Sequence, residues 1–191
     1  MRSRPSAPLS ASSRRRARPA APKARRPSPL GRVRVRRATS ADLPLLVRHR
    51  RAMWEEIGGW TRVELDRADP AYRRWVVREM RARRFFGFLL VRPDRSVAGS
   101  GAVWLPPAQP RPGRLARLEM PYILSMYTER DARGRGVATT LVKEMVRWAE
   151  RRGYRRVFLH ASKAGRPVYV RLGFVDGNEM RLDLPIHRDR C

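Results

Sequence analysis

The run YTERDARGRGVATTLVKEMVRWAERRG, residues 127–153, constrains this chain more than any other. Its second half is the clearest helix in the sequence. Ala138, Leu141, Val142, Met145, Val146 and Ala149 fall on one apolar stripe, and Gly153 suits a C-cap. Just upstream, MPYILSMYT reads as a strong, central strand. Arg133, Gly134, Arg135 and Gly136 must therefore turn a strand into a helix. The first helical N–H groups have no intrahelical partner, and the helix dipole adds positive charge there. Glycines let the backbone take positive φ and approach a ligand closely. The junction is thus suited to an anion such as a phosphate. Glu129 and Asp131 would oppose an anion, so they are expected to face solvent.

The elements around this junction alternate unevenly. RVRVRR suggests a first strand, and a helix follows, capped by Thr39 or Ser40 and ended by Gly58. Leu43, Leu46, Val47, Met53, Trp54 and Ile57 share its inner face. A second helix is expected from about Asp69 to Arg84, with Tyr72, Trp75, Val76 and Met80 inward. FFGFLLV and VAGSGAVWL read as strands of a hairpin, and PPAQPRPGR as a loop. After the long helix, RVFLHAS reads as a strand, AGRPVYVRLGF as a short helix running into a bend, and MRLDLPI as a last strand. The order β-α-α-β-β-β-α-β-α-β implies a mixed α/β sheet with helices packed on it, and argues against a doubly wound fold.

Two phosphate-binding signatures fail at the junction. A Walker A loop needs Lys-Ser/Thr where Val137-Ala138 stands. A dinucleotide fingerprint needs a small residue where Thr139 stands and an acid at the end of the next strand, which ends His160-Ala161-Ser162. What remains is Arg133-x-x-Gly136-x-Ala138. With Tyr169, Leu172-Gly173-Phe174 and the first-helix segment RRAMWEEIGGW, it resembles the GNAT superfamily of acyl-CoA-dependent N-acetyltransferases over roughly residues 32–184.

The resemblance implies a mixed, mostly antiparallel central sheet flanked by helices. It implies acetyl-CoA as co-substrate, wedged between ILSMYT and VFLHAS. Backbone groups of Met126, Tyr127 and Thr128 would pair with the pantetheine arm. Arg133, Gly134, Arg135, Gly136, Val137, Ala138, Thr139 and Thr140 would surround the pyrophosphate, and Ser162 is a further cofactor contact or a helix cap. The implied reaction is direct attack of an amine on the thioester in a ternary complex. Tyr169 matches the family's thiolate-protonating tyrosine; packing beside Phe174 is the alternative. Glu119, Glu55 and Glu56 are candidate bases. Met53, Trp54, Trp60, Tyr122 and the proline-rich loop are candidates to line the acceptor pocket, with plain core packing the alternative for Met53 and Trp54.

Composition sets the remaining limits. The 191 residues suit one domain, 31–191, behind an appendage, 1–30. That leader is Arg/Pro/Ala/Ser-rich, holds no acid and is expected to be disordered. It lacks the apolar core of a secretory signal; a transit peptide or a mis-assigned start are alternatives. The formal net charge is +27, and all the basic residues except Lys23, Lys143 and Lys163 are arginine. GC-rich codon bias explains this as well as weak nucleic-acid contact through the leader does. The charge disfavours polycationic acceptors; a small-molecule or N-terminal amine is expected instead. Cys191 is the single cysteine, so no intrachain disulfide forms. His49, His160 and His187 lack metal-ligand spacing, so no metal site is expected. No apolar run approaches membrane length. A bacterial, cytoplasmic enzyme is expected on composition, and a homodimer on family resemblance. A nucleic-acid-associated protein or a non-catalytic CoA-binding domain are the alternatives.

Overall fold

The computed structural model describes residues 31–109 and 119–179. The leader, half of the proline-rich loop, the expected last strand, His187 and Cys191 lie outside the described residues. Within them the elements follow the expected order: β1 (Arg34–Arg37), α1 (Leu43–Ile57), α2 (Arg62–Arg81), β2 (Phe85–Val91), β3 (Val97–Trp104), β4 (Tyr122–Thr128), α3 (Val137–Arg151), β5 (Phe158–Leu159) and α4 (Arg166–Arg171). They build one sheet, ordered β1-β2-β3-β4-β5. The first three pairings are antiparallel and β4–β5 is parallel. Among the described residues no helix is long and apolar enough to cross a membrane.

Both faces of this sheet are covered. Phe88, Leu90, Val103 and Ile123 meet Leu141, Met145 and Trp148 of α3. Leu89, Val91 and Ala102 meet Leu43 and Leu46 of α1 and Val76 of α2. This double burial explains why FFGFLLV is continuously apolar rather than alternating. Trp148 belongs to the buried face of α3 although it lies outside the expected stripe, because Phe86 packs against it tilted at 4.6 Å and Phe88 edge-on at 6.2 Å.

Several expected boundaries move. α1 starts at Leu43, after a single 3-10 turn over Ser40–Asp42, and Gly58 ends it at φ 80°. Ile57, expected inward, is half exposed. α2 begins seven residues earlier than Asp69. The Thr61 N–H donates to Glu64 Oε2 at 2.7 Å, and the Glu64 N–H donates to Thr61 Oγ1 at 3.3 Å. This reciprocal cap starts the helix at Arg62. Pro70 lies inside it. Its fixed φ is already helical, so it removes one backbone bond without ending the helix. At the far end of α2, buried Glu79 accepts from Arg84 Nε at 2.7 Å and Trp104 Nε1 at 3.1 Å. Those donors, Arg84 first, hold its carboxyl at about 2.

β4 carries one irregularity, opposite Gly101 of β3. Ser100 pairs with Tyr127 and Ala102 with Leu124, so Ser125 and Met126 oppose the single residue Gly101. Ser125 sits at φ 52°. Such a bulge reverses which residues face which side. Leu124 packs toward α1 and α2, Met126 packs toward α3 above Gly101, and Tyr127 turns back to α1 against the His49 ring.

Candidate active site

β4 and β5 part company almost at once. They pair at Tyr122–Phe158 and Ile123–Leu159, with Phe158 N–H also donating to Pro121 O at 2.8 Å. Beyond that point the bulge carries β4 away, and the chain after Leu159 turns toward α4. The expected strand RVFLHAS is thus reduced to two residues. Ser162 makes that turn: its hydroxyl accepts the Gly165 N–H at 3.1 Å, while Gly165 itself is the N-cap of α4 and no side chain caps that helix. The edge of β4 from Leu124 to Thr128 that faces β5 has no strand partner among the described residues. Such an edge offers a row of backbone donors and acceptors to an extended ligand.

The open end of this fork meets the glycine junction. Gly134 and Gly136 have φ 70° and 81°, and a Cβ at either would meet nothing within 4 Å. Their conformation, rather than crowding, calls for glycine. Gly136 is the N-cap of α3, and no side chain caps that helix. The first-turn donors at Val137, Ala138 and Thr139 therefore face outward, where the helix dipole adds positive charge. Arg135 is exposed beside them. Arg133 is not a free cation: its Nη2 donates to Glu56 Oε1 at 2.5 Å and its Nε to Thr128 O at 3.2 Å. It braces the loop against the end of α1.

Glu129 corrects an expectation. Asp131 faces solvent and pairs with Arg92 at 2.8 Å, as expected, but Glu129 turns inward. It accepts from His49 Nε2 at 3.0 Å and from Arg48 Nη2 at 2.9 Å. A carboxylate only accepts, so Nε2 carries the proton and Nδ1 accepts from the Ser100 hydroxyl at 2.8 Å. His49 is 1% exposed. Burial, then the Arg48 charge, push its pKa down, while Glu129 acts the other way. Metal-ligand spacing, which the histidines lack, does not reveal this network. Its signal was there: His49 lies three residues after Leu46, on the inner face of α1.

The other side of the fork is aromatic. Trp54 and Met53 are half-buried, and the Trp54 ring stands edge-on to Trp60 at 5.8 Å. Trp54 Nε1 is buried without a partner among the described residues. Trp60 is 53% exposed. The Tyr72 hydroxyl donates to Ser125 Oγ at 3.4 Å, and Arg50 lies 4.3 Å from the Tyr72 ring. Glu55 is held by Arg51 at 3.0 Å, and Arg51 also binds Asp66 and Asp69. Glu56 is held by Arg133. Glu119 is half-buried just before β4. Tyr122 opens β4 and donates its hydroxyl to His160.

Tyr169 projects from α4 into the α3 side of the core, edge-on to Phe174 at 5.8 Å. Gly165 leaves room for it, since a Cβ there would come within 3.1 Å of the ring. Burial raises the Tyr169 pKa, so the phenol keeps its proton. Tyr169 thus lies on the α3 side of the sheet, and Tyr122 shares the opposite face with Leu124.

The profile of the acetyltransferase (GNAT) family matches residues 49–174. Among solved structures, a GCN5-related N-acetyltransferase from Ralstonia eutropha is similar with a TM-score of 0.71 and 25% identity, over 80% of this chain and 98% of its own. A predicted acetyltransferase from Clostridium acetobutylicum, solved with acetyl-CoA, gives 0.70 and 27%, over 81% and 96%. A ribosomal-protein-alanine N-acetyltransferase from Brucella melitensis gives 0.60 at 16%, over 81% and 99%, a likeness of fold alone. No curated protein matches the chain in sequence.

Proposed function

This chain belongs to the acetyltransferase (GNAT) family, and from that premise we propose that it transfers an acetyl group from acetyl-CoA to a primary amine by direct attack in a ternary complex. One observation carries the reading: the unpaired edge of β4 opens onto the uncapped first turn of α3. These residues fit acyl-CoA. The backbone of Met126, Tyr127 and Thr128 would hold the pantetheine amides as an added strand. The N–H groups of Arg135 to Thr140 and the Arg135 side chain would hold the pyrophosphate. When bound, the thioester supplies an activated acyl carbon.

The chain's own residues supply the rest. The aromatic wall of Trp54, Trp60, Tyr72 and Tyr122 holds the amine against the fork and limits water there. Tyr169 gives its proton to the departing sulfur; its raised pKa keeps that proton available at neutral pH. Arg133, tied to Glu56 and Thr128, keeps the loop in its anion-accepting shape. The acceptor is a small-molecule or N-terminal amine.

Calorimetric titration with acetyl-CoA tests the reading, using wild type, Gly136→Glu and Thr139→Glu. The glycine variant strains a left-handed position. The threonine variant does not, and an acid in a first helical turn favours the helix while repelling phosphate. Both are expected to weaken binding by at least about tenfold, equal to about 1.4 kcal/mol. A folded wild type that binds no acetyl-CoA would sink the acetyltransferase reading.

A further inference from the structure

Tyr122 of the aromatic wall heads a hydrogen-bonded chain of three side chains at the root of the fork. Tyr122 and Phe158 are paired, so His160 lies two residues beyond Phe158, just past the end of β5 and level with Leu124, where the strands separate. The Tyr122 phenol reaches forward along the fork to His160 Nδ1. His160 Nε2 lies 3.2 Å from both oxygens of Glu179. The chemistry fixes the protons: a carboxylate only accepts, so Nε2–H donates to Glu179, and Nδ1 is left to accept from the Tyr122 O–H. The imidazole is 73% exposed and opens to solvent, whereas Tyr122 is half-buried on the amine side of the sheet.

We propose that Tyr122, His160 and Glu179 form the proton relay that deprotonates the acceptor ammonium, with Tyr122 touching the amine and His160 receiving the proton. The proposal rests on the acetyltransferase reading. It differs from the carboxylates weighed for this role. Glu55 is neutralised by Arg51 and Glu56 by Arg133, whereas His160 faces a phenol on one side and a carboxylate on the other. Burial, then the Glu179 charge, push the Tyr122 phenol up to about 12, so it passes protons on without losing its own at neutral pH.

The step balances. The ammonium gives one proton to the Tyr122 oxygen as the phenol proton moves to His160 Nδ1. The imidazolium, hydrogen-bonded to Glu179, then loses that proton to water. The amine lone pair forms the N–C bond, the C–S bond breaks, and its electron pair leaves on sulfur. Tyr169 protonates the sulfur and is reprotonated by the second proton lost from nitrogen. One amide, one thiol and one released proton result.

The test compares nucleophiles that do and do not need a base. Acetyl transfer to tyramine and to an alanine-first peptide, both ammonium ions at neutral pH, is measured beside transfer to hydroxylamine, which is largely neutral there. His160→Ala is expected to lower kcat with the ammonium acceptors about 100-fold. It is expected to lower transfer to hydroxylamine far less and to leave acetyl-CoA affinity unchanged. Added imidazole is expected to restore ammonium transfer, since His160 is open to solvent. Tyr122→Phe is expected to show the same selectivity without rescue. Equal loss for both nucleophile types, no loss, no imidazole rescue, or a wild type that uses hydroxylamine alone would each overturn the relay. Wild type without acetyl-CoA binding would overturn the acetyltransferase reading beneath it.

Discussion

At the scale of single residues, His49 shows how one buried side chain ties folding to pH. It is neutral in the fold, wedged between α1 and the strands, with both ring nitrogens satisfied by Ser100 and Glu129. Burial, then Arg48, depress its folded pKa. In the unfolded chain it takes up a proton near 6.5. The unfolded state therefore binds more protons below that value, so the stability this site contributes is complete above about 6.5. It is lost as pH falls from there through the lower folded-state value. Thermal unfolding at pH 7.5 and 5.5 is expected to show a drop in Tm for wild type. His49→Gln is expected to be less stable at pH 7.5 but to lose less between the two. An equal loss in both proteins would remove His49 from the pH response. The sequence carried this residue in plain view, three positions beyond Leu46. What it could not convey was that Ser100 and Glu129, 51 and 80 residues away, converge on the ring.

At the scale of elements, most of the fold was legible and most of the fork was not. Strong periodic stretches settled α1, α3 and β2 to β4 within a residue or two. The local chemistry of Thr61 and Glu64 also identifies the true start of α2, seven residues before the expected Asp69. β5 failed for a different reason. Val157 to Ser162 has strand character, yet the bulge at Ser125 and Met126 denies it a partner beyond Leu159. Bulges follow from register, and register depends on the neighbouring strand. The glycines of VAGSGAVWL were the sequence trace of this arrangement. A Cβ on Gly99 would fall 2.7 Å from both Tyr127 O and Val137 Cγ1. One contact is β4 backbone and the other is the first residue of α3, the two groups expected to hold acetyl-CoA. Gly99→Ala is therefore expected to cost about 1–3 kcal/mol of stability by overpacking. It is also expected to weaken acetyl-CoA binding by about tenfold, which denaturant unfolding and calorimetry measure separately. Normal affinity in a destabilised protein would show that β4 and α3 absorb the methyl group without moving the site.

At the scale of the whole molecule, charge is the property that local pairing cannot absorb. The chain carries 44 basic residues against 17 acidic ones, so most of the positive charge has no acid to cancel it. The half-buried arginines that lack a carboxylate find other partners. Arg37 donates to Gly87 O and lies 4.8 and 4.4 Å from the Phe86 and Phe88 rings, with Arg152 on the same Trp148. Burial, then the Arg152 charge, bring its pKa down to about 10, which leaves it charged at neutral pH. The excess therefore survives folding as a positive field around the molecule. Acetyl-CoA carries several phosphate charges, and the fork opens where α3 and Arg135 add to that field. Association with acetyl-CoA is accordingly expected to be steered. Raising sodium chloride from 0.05 to 0.5 M shortens the screening length to a few ångströms. Stopped-flow association rates are expected to fall about tenfold over that range. Dissociation, governed by contacts made inside the fork, is expected to change far less. An association rate that ignores salt would mean that the arginine excess does not reach the site and that codon usage, rather than ligand capture, accounts for it.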